Sequence, residues 1–132
     1  MKKLVPLITL IALACITLLS CHHDRDISIT YNDDDGFYSM NAYFDRRKIR
    51  EVERYMDRML GDVSNTSFVN TRIDGTIALE DHTIFYLKKL PGHIKIKLDK
   101  YKNSEEAYER VREMCEGMKD VLTDKEVVIR VQ

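Results

Sequence analysis

From His93 to Leu98 the chain alternates without a break. Ile94, Ile96 and Leu98 interleave with His93, Lys95 and Lys97. Successive side chains on a β-strand point to opposite faces, so this segment needs one dry side and one wet side. A parallel strand covered on both faces reads instead as a continuous apolar run. The pattern therefore predicts an antiparallel sheet with one solvated face. Ile84–Lys89 precedes it across a Pro91-Gly92 turn, and the two segments read as neighbouring strands.

The remaining segments extend this picture. Ile27–Tyr31 and Phe37–Phe44 alternate as well, with Asn32-Asp33-Asp34-Asp35-Gly36 supplying turn chemistry between them, so they read as a β-hairpin. Tyr38, Met40, Ala42 and Phe44 share one side. Asp45 is placed to cap a helix over Arg46–Leu60, where Ile49, Val52, Met56, Met59 and Leu60 form one stripe. Gly61 is expected as its stop, at positive φ. After the polar loop Asp62–Ser67, Phe68–Ile73 and Thr76–Leu79 read as strands separated by Asp74-Gly75, and Glu80–Thr83 as a turn. Asn103-Ser104-Glu105-Glu106 resembles a capping box that starts a second helix at Asn103. Its stripe is Ala107, Val111, Met114, Cys115, Met118, Val121 and Leu122, and Gly117 inside it is expected to cost about 1 kcal/mol relative to Ala. Glu126–Val131 reads as a short last strand or a frayed tail. The order ββαβββα predicts a two-layer α+β domain. Four to six antiparallel strands would carry two amphipathic helices on one face.

The N-terminus has a different character. Met1-Lys2-Lys3 is followed by Leu4–Leu19, a run of 16 residues without a charge. A membrane-spanning helix needs about 20 apolar residues, whereas a signal h-region is shorter. The run ends in Leu18-Leu19-Ser20-Cys21, which resembles the lipobox of bacterial lipoproteins. The resemblance implies that the Cys21 thiol takes a diacylglycerol and that a signal peptidase cuts after Ser20. It also implies that the new amino group is open to acylation. Two or three chains anchor far better than one, at about 0.8 kcal/mol per buried CH₂. The competing reading is an uncleaved anchor with Cys21 at its edge. On the lipoprotein reading, residues 1–20 are the signal, 21–26 the lipidated Cys and a short tether, and 27–132 one domain. A short tether before an α+β domain is similar to small lipoproteins of Bacteroidota. That implies a cell-envelope location. His22 in place of Asp after the Cys points to the outer membrane, and Asp24 and Asp26 point to the cell surface. The tether His22–Asp26 spans at most about 3.5 Å per residue, which keeps the domain close to its bilayer.

Cleavage leaves 112 residues, enough for one core. Apolar residues make up 44% and charged residues 33%, which suits a folded chain rather than a disordered one. The net charge of −1 becomes −3 once Lys2 and Lys3 leave with the signal. Nucleic acid is therefore not an expected partner, because displacing its counterions needs a basic excess. Of three cysteines, only Cys115 remains in the mature domain unlipidated, so no internal disulfide forms. Its place among apolar helix positions predicts a buried thiol, with an intermolecular disulfide as the alternative.

No segment carries a catalytic constellation, and no catalytic residue, metal ligand or cofactor is assigned. His22-His23-Asp24 has donor types suited to Zn²⁺ or Cu²⁺ but lacks a convergent fourth ligand. Placing Gly36 at position 6 of a calcium loop puts Tyr31 at position 1 and Ala42 at position 12, so the EF-hand pattern fails. Asp81-His82 resembles an acid–base pair but sits in a polar turn. The basic residues Lys88, Lys89, His93, Lys95 and Lys97, with Lys100 and Lys102 beyond, form a candidate interaction surface around one hairpin. Its expected contacts are anionic lipid headgroups or an acidic partner. The alternative is a solvated face with lysines guarding the sheet edge. Aromatic residues left exposed on the sheet would mark the binding side. These readings converge on a membrane-anchored binding module for an unknown envelope protein or component. The second reading is a small hydrolase or ligand-binding protein with a cleft between sheet and helices.

Overall fold

The computed structural model describes residues 27–65 and 67–123. The lipobox, Cys21, the tether, the His22-His23-Asp24 cluster and the Glu126–Val131 segment lie outside these residues. Five strands form one antiparallel sheet in the order β1-β2-β5-β4-β3. They are β1 (Ser28–Asp33), β2 (Phe37–Tyr43), β3 (Ile73–Ala78), β4 (Ile84–Leu90) and β5 (His93–Asp99). Helix α1 (Ile49–Leu60) follows β2, and α2 (Glu105–Leu122) follows β5. The architecture is the two-layer α+β arrangement ββαβββα. Among the described residues, no helix is long and apolar enough to cross a membrane.

Register explains which residues meet. Met40 pairs with Ile96 and Ala42 with Ile94, while Leu87 faces Ile96 from the other side. These residues and Leu98 are fully buried under Val52, Met56 and Leu60 of α1 and Val111, Met114, Cys115 and Met118 of α2. The period of 2 in the strands and the 3.6-residue stripes of the helices thus describe one core. Cys115 is completely enclosed, and burial pushes its thiol pKa well above the ordinary value. A buried neutral thiol is inert.

Several local expectations are corrected. The first hairpin turn is tighter than the polar run suggests. β1 continues to Asp33, and the Asp34 carboxylate accepts hydrogen bonds from the Gly36 and Phe37 amides. Arg46–Lys48 form a 3₁₀ turn rather than the start of the α-helix, with Asp45 accepting from the Arg47 amide. Phe68–Arg72 is not a strand, and Asp74-Gly75 lies inside β3 rather than in a turn. The Phe68 amide donates to Asp57 and its carbonyl accepts from Lys89, so side chains take the groups that a neighbouring strand would need. Gly61 has φ −57°, not a positive value. The cap of α2 is Ser104, whose hydroxyl accepts from the Ala107 amide. Asn103 instead bonds the backbone amide and carbonyl of Ile84 and the carbonyl of Asp99. It ties the start of β4 to the end of β5.

Gly117 is the instructive case. A Cβ there would sit 2.1 Å from the Tyr55 hydroxyl. Tyr55 crosses from α1 and donates to the Met114 carbonyl at 2.8 Å. The absent side chain is the notch that lets the two helices meet. Its helix-propensity cost is offset by that contact.

Candidate functional site

With both helices on one face, the opposite face of the sheet is open among the described residues. Its composition follows from alternation. β2 presents Phe37, Ser39, Asn41 and Tyr43, and β5 presents His93, Lys95 and Lys97. β4 adds Ile84, Tyr86 and Lys88. Pairing sets these side by side: Tyr43 with His93, Ser39 with Lys97, Lys97 with Tyr86, and Lys95 with Lys88.

Four contacts organise this surface. The Tyr43 and His93 rings stack with centroids 4.2 Å apart. His93 Nε2 lies 2.7 Å from Asn41 Oδ1. Lys97 Nζ sits 4.4 Å above the Phe37 ring, within cation–π range. Tyr86 donates to Asp74 at 2.6 Å, and this bond raises its phenol pKa. Phe37 remains 40% exposed and Tyr43 50%. A cleft of about 270 Å³ opens at one end, between Phe37, Ile84, Tyr86, Lys97 and Lys102, with Asp99 on its wall.

Charge is not distributed as the residue types alone imply. Lys88 and Lys95 are direct cross-strand neighbours. Like charges so placed repel, and among the described residues neither they nor Lys97 has a carboxylate partner. The environment of His93 favours its neutral form. Burial, then Lys88 and Lys95, hold its pKa below the ordinary histidine value. Lys89 leaves the patch altogether. It follows Phe85 and Leu87 on the core side, is 1% exposed, and pairs with Glu53 of α1 while donating to the Phe68 carbonyl. The expected five-residue basic surface is therefore three lysines with an imidazole whose neutral form is favoured.

No family model, curated protein or solved structure matches this chain. The physical arrangement alone therefore carries the reading of the open face.

Glu53 was not among the expected site residues, and Lys89 was expected on the wrong side. Both were legible from phase. Glu53 lies four residues after Ile49 and three before Met56, within the stripe of α1, and Lys89 continues the Phe85–Leu87 alternation. The turn pair Asp81-His82 is not brought together as an acid–base couple. Burial opposes ionisation of Asp81, but hydrogen bonds from Thr83 and the Arg110 charge outweigh it and lower its pKa. Asp81 also pairs with Arg110 at 3.2 Å. His82 is exposed at φ +70°, at the tip of the turn. Among the described residues, no group of three or more His, Cys, Asp or Glu side chains is placed to hold a metal ion.

Proposed function

We propose that this chain is an envelope lipoprotein, anchored through Cys21 in the outer membrane, whose domain is a binding module. The open sheet face takes an acidic protein partner. Phe37, Tyr43 and Tyr86 supply the apolar contacts, and Lys88, Lys95 and Lys97 supply charge complementarity. The observation that carries this reading is the combination of exposed aromatic rings with three cations that have no carboxylate partner among the described residues. Aromatic residues are enriched at interface centres, with polar and charged groups around them. Charges at the rim then steer encounter and select the partner.

The test is crosslinking in the native envelope followed by identification of the captured protein. Lys95→Glu with Lys97→Glu is expected to abolish one specific crosslink while leaving thermal unfolding unchanged. Charge reversal that leaves every crosslink intact contradicts the reading.

A further inference from the structure

Acidic residues outnumber basic ones at one end of the strands, where Lys100 and Arg110 pair with Asp33 and Asp81, and basic residues outnumber acidic ones at the other. Asp33, Asp34, Asp35, Glu80, Asp81 and Glu105 gather at one end. Arg46, Arg47, Arg50, Arg72, Lys88 and Lys95 gather at or near the other. The register places Ser28 at the basic end, opposite Tyr43, which is itself opposite His93. The described chain therefore enters the fold where positive charge is concentrated.

At this end a cleft of about 220 Å³ lies between the first turn of α1, the 70–72 loop and the β4–β5 turn. Arg50 and Arg72 line it, Ile49, Leu90 and Pro91 give it apolar walls, and the Lys89–Glu53 pair is buried beneath. Asn70, at φ +61°, carries the loop around it. Neither guanidinium has an ion-pair or hydrogen-bond partner among the described residues. Lys89 gives two of its three N–H donors to Glu53 and the Phe68 carbonyl, and no described group takes the third. Lys89 neutralises Glu53, so the two arginines set the charge of the cleft.

The buried pair also calls for a reason. Apart from Glu53 and Lys89, no charged residue is buried among the described residues. Burying an ion pair is no more stabilising than filling the same space with apolar side chains. A polar floor under two unpaired guanidiniums accounts for its presence.

We propose that this cleft binds a phosphate group. Arg50 and Arg72 take its oxygens from the mouth, since the planar guanidinium fork matches phosphate geometry. The free N–H of Lys89 donates from the floor. The phosphate belongs either to a small soluble phosphate or to a phospholipid headgroup. The headgroup source rests on the Cys21 anchor; the pocket itself does not.

The full chain in detergent is titrated with inorganic phosphate and with glycerol 3-phosphate, and the arginine side-chain NMR signals are followed. A second arm measures binding to phosphatidylglycerol vesicles against phosphatidylcholine vesicles. Saturable shifts of Arg50 and Arg72 with the soluble phosphates identify a small-molecule pocket. A preference for phosphatidylglycerol without such shifts identifies the headgroup. In either case Arg50→Gln with Arg72→Gln is expected to weaken binding by about tenfold or more, the loss for removing charged hydrogen bonds. Both residues are exposed, so unfolding is expected to be unchanged, and Lys119→Gln, an exposed position on α2, serves as a control that retains affinity. Failure in both arms, equal shifts with chloride, or full affinity in the double variant overturns the proposal.

Discussion

Lys88 and Lys89 are adjacent in sequence and differ in almost everything else. Lys88 faces the open side of the sheet, opposite Lys95, without a carboxylate partner among the described residues. Lys89 faces the helices, enclosed by Glu53 and the Phe68 carbonyl. The same contrast separates the two faces of the sheet. On the core face every position is fixed by packing, and even a charge is held by a dedicated partner. On the open face the side chains touch one another but are covered by nothing among the described residues. The lesson is that residue type does not assign a lysine to a surface, whereas phase along the strand does.

The largest predicted effect breaks the core side of this contrast. Lys89→Met or Glu53→Leu alone leaves an uncompensated buried charge and is expected to cost about 3–5 kcal/mol, read from denaturant unfolding. The double variant Lys89→Met with Glu53→Leu is expected to recover most of that loss. Additive losses in the double variant would mean that the two side chains are not coupled.

A smaller effect is expected at the helix crossing. Propensity alone predicts that Gly117→Ala stabilises α2 by about 1 kcal/mol. The Tyr55 hydroxyl in the notch reverses the sign. We expect a loss of about 1–3 kcal/mol from overpacking, partly relieved when Tyr55→Phe is added. A stabilised Gly117→Ala variant would remove Tyr55 from the notch.

The smallest effect sharpens the open face. The folded His93 pKa lies below its unfolded value, so the unfolded chain binds more protons between the two. The stabilising contribution of neutral His93 is complete above the unfolded value of about 6.5 and declines as pH falls toward the folded one. Unfolding curves across this window should show a shallow loss toward acid that His93→Asn removes. An unchanged slope in the variant would assign the loss to other groups.

The order of elements was legible because the alternation of Phe37–Phe44 and His93–Leu98 and the stripes of both helices each demand one dry side. What escaped the reading has a physical reason in each case. Phe68–Arg72 has strand-like composition, but Asp57 and Lys89 claim the Phe68 backbone. Asn103 has the chemistry of a cap, yet its amide joins two strands and Ser104 caps instead. Gly117 seemed only a cost because its value lies in a residue 62 positions earlier, Tyr55. The open face was half legible. Alternation placed Lys95 and Lys97 on it, but which aromatic rings stayed exposed depended on where the helices pack.

Mass spectrometry of the mature N-terminus after membrane fractionation tests the account most directly. A membrane-bound chain that begins at Cys21, with diacylglycerol on its sulfur, is the predicted result. A chain that still begins at Met1, or one released from the membrane with an unmodified Cys21 thiol, would contradict it.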